Sequence, residues 1–344
     1  MSGINLIGLT RSELRNFAES IDEKSYRGDQ IFSWIYQYNE TKFSQMTNLS
    51  KEFRSNIENS AFLDLPKISD SIVSRETSSI KFLFRLNDGF SIETVFIPEK
   101  KRNTVCLSSQ VGCALDCQFC ATAKMGILRN LTVSEIIGQL LSVIKETKQK
   151  ITNIVFMGMG EPMMNYNNVI KAADIIHDQR GLNIGARKIT ISTVGMVNKI
   201  KQYTKEKRPY NIAFSLNATN DLERNKLMPI NKKYNLKSCL DALKDYSIKL
   251  KRPAMLEYVL ISGVNDTYED AMRLSKIIKS LNCKLNIIPY NPIEGESFKR
   301  PTEYEINNFI NNIRAENTII TVRWSQGKDV NAACGQLYTK NEKK

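Results

Sequence analysis

Gly112-Cys113-Ala114-Leu115-Asp116-Cys117-Gln118-Phe119-Cys120 is the stretch on which the fold turns. Cysteines spaced by four and then three positions put three thiols within eight residues, and soft sulfur donors favour zinc or an iron–sulfur cluster. A structural zinc site completes its four ligands with a second Cys pair or with His. No such pair follows here, and His177 is the one histidine of the chain. Three protein ligands leave a coordination position open, which suits a cluster that binds a substrate directly. The same spacing also lines cysteines along one helical face, where they would be inert. Gly112 ahead of the run and the polar Asp116 and Gln118 within it argue against a buried helix.

Outward from this run the chain alternates between short apolar stretches and amphipathic ones. The stretches at 104–107, 153–157, 188–193, 211–216, 254–261, 284–289 and 318–324 read as strands, and 133–149, 167–178, 196–205, 235–247, 268–281 and 303–314 read as helices. This rhythm predicts βα units around a parallel sheet, six of them closing partly or fully into a TIM-like (βα)6 barrel over 104–325, with chemistry at the C-terminal strand ends. An open doubly wound sheet is the alternative. Residues 1–60 read as helical, with Ser12 and Asp22 as N-caps. Residues 61–103 read as a β-rich extension with strands at 70–74, 80–86 and 91–97 and a hairpin turn at Asn87-Asp88-Gly89. Residues 326–344 form a C-terminal segment whose end, from 338 on, reads as loose.

Composition narrows the chemistry. The 344 residues carry 49 Lys+Arg against 36 Asp+Glu, a net charge of +13, and such an excess favours a polyanionic partner, nucleic acid ahead of a membrane surface. No apolar run is long enough to span a bilayer, and the N-terminus lacks the pattern of a secretory signal, so the expectation is a cytoplasmic protein; a monomer is expected separately. Seven cysteines then read as reduced thiols, ligands or reactive groups. A lone histidine makes His-based triads and imidazole acid–base chemistry poor candidates.

The C-x3-C-x2-C run with Phe119 before its last Cys resembles the radical S-adenosylmethionine (SAM) superfamily. That resemblance implies a partial radical SAM barrel in which Cys113, Cys117 and Cys120 hold a [4Fe-4S] cluster, and SAM is cleaved to a carbon radical. It also implies that Gly160 and Glu161 in Met157-Gly-Met-Gly-Glu-Pro162, together with Ser192, Ser215, Leu216, Asn217 and Asn291, contact SAM. Glu161 would hold the SAM amino group.

Further motifs narrow the resemblance to the RlmN/Cfr family of RNA methyltransferases. They are Ile92-Glu93-Thr-Val-Phe-Ile-Pro98, Ser108-Ser-Gln-Val-Gly-Cys113, Met228-Pro-Ile-Asn-Lys232 and Asp329-Val-Asn-Ala-Ala-Cys334-Gly-Gln-Leu337. The family implies methylation of C2 of adenine 2503 in 23S rRNA and of adenine 37 in tRNAs, with two SAM molecules used per turnover. One departure is visible: family members commonly carry Ser-Leu-His where this chain has Ser215-Leu216-Asn217. Asn donates and accepts hydrogen bonds, so SAM binding is expected to survive.

The family chemistry gives the remaining candidates their roles. Adenine C2 is electron-poor and does not attack a SAM methyl group. Cys334 would take a methyl group by nucleophilic displacement, and the methylene radical formed from it would add to C2. Glu93 would remove the C2 proton. Cys106 would then attack Cys334, forming a transient disulfide that an external reducing system must reopen. Read without the resemblance, Cys106 is an inert strand residue, Glu93 lies on a solvated face, and Cys239 and Cys283 are structural. Basic clusters at Lys100-Lys-Arg102, Lys205-Glu-Lys207-Arg208, Lys232-Lys233 and Lys251-Arg252 are candidates for phosphate contacts, and the target base is expected to be extruded into the barrel mouth. A C8-adenosine rRNA methyltransferase of the same family and a zinc-stabilised RNA-binding protein without catalysis stand as alternatives.

Overall fold

The computed structural model describes residues 3–314 and 318–339. Three helices, α1 (Arg11–Ser20), α2 (Tyr26–Tyr36) and α3 (Lys51–Ser60), are bracketed by a parallel pair of short strands, β1 (Ile4–Asn5) and β2 (Ala61–Phe62). The cap of α1 is Thr10, not Ser12: its hydroxyl accepts from the Glu13 amide while the Glu13 carboxylate accepts from the Thr10 amide. Asp22 is likewise no cap; it turns the chain in a left-handed conformation after α1, and α2 starts past Ser25. Leu14, Ile31, Phe32 and Ile35 are fully buried in a core continuous with the sheet. That burial contributes about 6–12 kcal/mol before entropy, enough to dock these helices on the rest of the chain.

An antiparallel meander follows: β3 (Lys67–Val73), β4 (Ile80–Arg85), β5 (Ser91–Glu99) and β6 (Arg102–Cys106). The turn between β4 and β5 lies at Asn87-Asp88-Gly89 as expected, closed by the Gly89 amide donating to Leu86 O. After β6 come a small hairpin, β7 (Gln110–Gly112) with β8 (Ile127–Asn130), and then the alternating series. Its strands are β9 (Asn153–Phe156), β10 (Ile189–Thr193), β11 (Asn211–Ser215), β12 (Ala254–Leu260), β13 (Cys283–Pro289) and β14 (Ile320–Val322). Its helices are α4 (Val133–Thr147), α5 (Tyr166–His177), α6 (Val197–Lys205), α7 (Asp221–Leu227), α8 (Leu236–Leu250), α9 (Tyr268–Ser280) and α10 (Glu303–Asn312).

β6 and β9 to β14 pair in parallel and in strict chain order. A doubly wound sheet reverses its order at a switch point; this one does not. Right-handed crossovers that all run one way put every helix on one face, and the sheet curls around the other. Residues from β6 through β14 line a single cavity on that concave face. The barrel stays open, since β6 pairs with β5 and β9 and β14 pairs with β13. The C-terminal segment lies across the meander beside this gap. Asp329 accepts from the Ser74 hydroxyl at 2.7 Å, the Gly327 amide donates to Thr77, and the Tyr338 amide donates to Glu93. Among the described residues no helix is long and apolar enough to cross a membrane.

Candidate active site

The cysteine run leaves β7 as a loop, not as a helix. Gly112 has φ +75°, and a Cβ there would lie 1.9 Å from Gly126 O; Asp116 is also left-handed. The Cys113 amide donates to Gly126 O at 2.9 Å and the Cys120 amide to Cys117 O at 3.1 Å. These bonds bring the three thiols to the wall of one cavity at the C-terminal strand ends. Burial pushes the Cys113 thiol up to about 12 and raises Cys117 and Cys120 as well; Cys120 adds to the rise of Cys113, and both add to that of Cys117. The trio is therefore neutral until bound cations ionise it.

The other walls carry most of the expected SAM contacts: Gly160, Glu161, Ser192, Ser215, Asn217 and Asn291. Glu161 accepts from the Met163 and Val194 amides, each at 3.0 Å. Burial nevertheless pushes its carboxyl up to about 7, with the Val194 amide pulling the other way. Gly160 has φ +93°, and a Cβ there would meet Gln110 at 2.4 Å. Asn217 takes a left-handed conformation, accepts from the Val259 amide at 2.9 Å, and directs Nδ2 to Met228 Sδ. Asn291 donates to Cys334 O at 3.1 Å. Leu216 differs from the rest: its side chain is fully buried in the main core, and its amide donates to Glu257 O.

Does this cavity suit a cluster with SAM? Its donor set is three soft thiols without a histidine. Among the described residues no trio of His, Cys, Asp or Glu converges closely enough to hold a single ion, whereas thiolates on separate corners of a cube stand further apart than ligands of one ion. Glu257 Oε2 in the same wall is buried without a hydrogen-bond partner, an acceptor that a polar ligand would satisfy. The residues fit the pair.

A second cavity lies below the first and opens at the N-terminal strand ends past the exposed Glu99, Arg102 and Lys188. Cys106 lines its inner wall. Met157, Ile288, Arg323 and Cys334 line both cavities and so partition them. All seven cysteines are free thiols. Burial pushes Cys106 up to about 12; Cys334 beside it adds to the rise and Arg323 opposes it. Glu93 is buried, not solvated: its side chain is 6% exposed and pairs with Lys81 Nζ at 3.0 Å. Val95 stands opposite Cys106 in the ladder, and Glu93, two residues away, shares that face. The Glu93 carboxylate is itself covered by Lys81 and the Tyr338 amide and lines neither cavity. Burial raises its pKa, chiefly against the pull of Lys81.

Three supporting residues escaped sequence reasoning. Gln110 accepts from the Glu161 amide at 2.8 Å and donates to Asn130 at 2.7 Å, fixing the Gly-Glu turn. Arg224 is fully buried and donates to Val194 O, Ser215 O, Leu216 O and Asn231 Oδ1. Arg323 reaches the partition from the end of β14 and donates to Met157 Sδ. Nothing local in the sequence marks them; a buried Arg is visible only once its carbonyl partners converge. Of the basic clusters, Lys205-Glu-Lys207-Arg208 is partly neutralised, since Arg208 pairs with Glu206 and Asp174.

Concave sheet, cysteine loop and Gly-Glu turn together define a radical SAM enzyme, and residues 107–275 match the radical SAM superfamily. Residues 4–63 match the ribosomal RNA large subunit methyltransferase N-terminal domain. A dual-specificity RNA methyltransferase RlmN of Geobacter sulfurreducens is 42% identical over 98% of this chain and 92% of its own length. The RlmN of Buchnera aphidicola is 43% identical over 97% of this chain and 96% of its own. A crystal structure of a radical SAM methyltransferase from Sphaerobacter thermophilus superposes with a TM-score of 0.92 at 39% identity, covering 97% of this chain and 99% of that one. The chain belongs to the RlmN family, whose cofactors are a [4Fe-4S] cluster and SAM.

Proposed function

We propose that this protein methylates C2 of adenine 2503 in 23S rRNA and of adenine 37 in tRNA, by way of an S-methyl group on Cys334. The observation that carries the reading is the place of Cys334 in the partition, open to the thiol-lined cavity on one side and to the cavity of Cys106 on the other. Cys113, Cys117 and Cys120 would hold the cluster. Glu161, Ser192, Ser215, Asn217 and Asn291, with the backbone at Gly160 and Leu216, would hold SAM. Bound there, the pair supplies a carbon radical.

The chain's own residues do the rest. Cys334, in the same wall as Arg323, accepts the methyl group by nucleophilic displacement. The target base, out of its stack, enters by the lower cavity and meets the S-methyl carbon from the Cys106 side. Glu93, on the strand face it shares with Cys106, takes the C2 proton once the chain at Tyr338 uncovers its carboxylate. The adduct left by radical addition and loss of the C2 proton holds one electron more than a closed-shell product, and that electron would return to the bound cluster. Cys106 then attacks the Cys334 sulfur: an S–S bond forms, the S–CH2 bond breaks with its electron pair on carbon, and that carbon takes a proton to become the new methyl group. A dithiol reductant returns both cysteines. The N-terminal helices grip folded RNA by shape, and the protein works as a monomer.

The test is anaerobic reaction of the cluster-loaded protein with unmodified RNA and SAM. Wild type is expected to yield 2-methyladenosine, Cys334→Ala no methylated adenine, and Cys106→Ala a protein–RNA adduct. Chromatography against 2- and 8-methyladenosine standards fixes the carbon. Normal turnover by either variant refutes the assigned roles, and 8-methyladenosine refutes the regiochemistry.

A further inference from the structure

Trp324 is 47% exposed and lines the lower cavity beside Arg323, Ser325 and Gln326. Exposed single apolar residues are ordinary, but position sets this one apart: among the described residues no other exposed large apolar side chain lines either cavity. The exposed cations Arg102 and Lys188 line the same cavity. Arg102 is partly engaged by Glu99 at 2.7 Å; Lys188 stands at the start of β10, on the rim. An exposed indole and exposed cations on the lining of one cavity are the combination that binds single-stranded nucleic acid: the cations meet phosphate and the aromatic face meets a base. Cys334 lines the same cavity, so the nucleotide next to a base that reaches Cys334 from this side stays among the lining that carries Trp324.

We propose that Trp324 is a stacking platform for the base flanking the extruded adenine. The inference rests on the functional reading above and adds to it a residue that contacts RNA away from the reacting atoms. The indole offers a flat face to any base, so the contact supplies affinity and orientation with little choice of sequence.

The test uses the full-length, cluster-loaded protein and an RNA hairpin containing the target adenine. Binding is read by fluorescence anisotropy, and 2-aminopurine is placed on either side of the target. Trp324→Ala should weaken hairpin binding roughly 5- to 100-fold, and Trp324→Phe should restore most of it. The 2-aminopurine on one side should be quenched by wild type and not by Trp324→Ala. An abasic nucleotide at that position should weaken wild type as the Ala variant does, and should cost that variant nothing further. Methylation of Cys334 by SAM in the absence of RNA should be unchanged in both variants. Parent-like affinity in Trp324→Ala, or losses from variant and abasic site that multiply, overturns the platform; the abasic arm needs no variant to fold. If wild type binds no hairpin or leaves Cys334 unmethylated, the functional reading itself has failed, and that outcome is distinct from the loss of Trp324 alone.

Discussion

Replacing Arg224 with Met tests whether one buried cation sets the geometry of the upper cavity. The guanidinium donates to Val194 O at 2.6 Å, Asn231 Oδ1 at 2.7 Å, Leu216 O at 3.0 Å and Ser215 O at 3.1 Å. Methionine keeps the length and the packing and offers no donor. Hydrogen bonds to a charged group are worth about 1.5–3 kcal/mol each, or roughly 6–12 kcal/mol gross for four. Removing a buried charge returns several kcal/mol of desolvation, and burial already depresses the Arg224 pKa. The net expectation is a loss of about 4 kcal/mol, lowering Tm by roughly 5–6 °C for a chain of this size. The local effect is sharper, because the Val194 amide bound to Glu161 belongs to the residue whose carbonyl Arg224 holds. Below its Tm the variant should bind SAM at least about tenfold more weakly, one lost hydrogen bond's worth. Calorimetry gives the first quantity and equilibrium dialysis with labelled SAM the second. A variant within about 1 kcal/mol of the parent and with parental SAM affinity would refute the argument.

Lys81→Met removes the chief charge opposing the burial of Glu93, so the Glu93 pKa rises further above the usual carboxylate range. A base works ionised, so the acid limb of product formation should move to higher pH while the plateau survives; a pH profile with an unmoved limb contradicts the assignment. Stability follows the same sign: a carboxyl raised on folding stabilises below its unfolded pKa and loses that contribution as pH rises through its folded value, so thermal scans of the variant should fall off more steeply toward neutral pH. Gly160→Ala forces a Cβ to 2.4 Å from Gln110 at φ +93°, and titration should find SAM binding abolished or nearly so. Cys117→Ala should lose most of its iron on anaerobic reconstitution, measured by metal analysis, whereas Cys239→Ala, a core residue on α8, should keep it.

How much of this was legible in the sequence depends on distance along the chain. The strands and helices of the barrel announce themselves because each is a local run with one period, and the cysteine loop announces itself because its thiols sit within eight residues. Strict strand order was also within reach, since sequential βα units with right-handed crossovers leave few alternatives. The cap at Thr10 was missed in favour of Ser12 although Glu13 three residues on marks it, a capping box overlooked. Glu93 shows the deeper limit. Its alternating neighbours permit a solvated face, and it is buried because Lys81 and the Tyr338 amide cover it. The second of these contacts arrives from 245 positions away, and no periodicity encodes such a partner. Leu216 shows the converse: the resemblance names the residue but not the group, and alternation turns its side chain into the core, leaving its backbone as the part proposed to meet SAM.

On the proposed reading, the partition would let one sulfur serve two chemistries that would interfere in a single chamber. Methyl acceptance needs Cys334 beside SAM and away from Cys106, whose thiol would compete for the methyl group. Release needs Cys334 beside Cys106 and away from the radical source. Burial keeps Cys106 protonated, with its thiol pushed up to about 12, so it is a poor nucleophile while the methyl group is loaded. A shared wall of Met157, Ile288, Arg323 and Cys334 lets a side chain face either cavity without moving the backbone, which Asn291 anchors through Cys334 O at 3.1 Å. The anchor makes the two steps separable by mutation. Asn291→Ala frees the backbone, and premature Cys106–Cys334 disulfide should then accumulate in wild-type SAM concentrations under air, detected by thiol counting. A variant that stays fully reduced would place the control of timing elsewhere than in this wall.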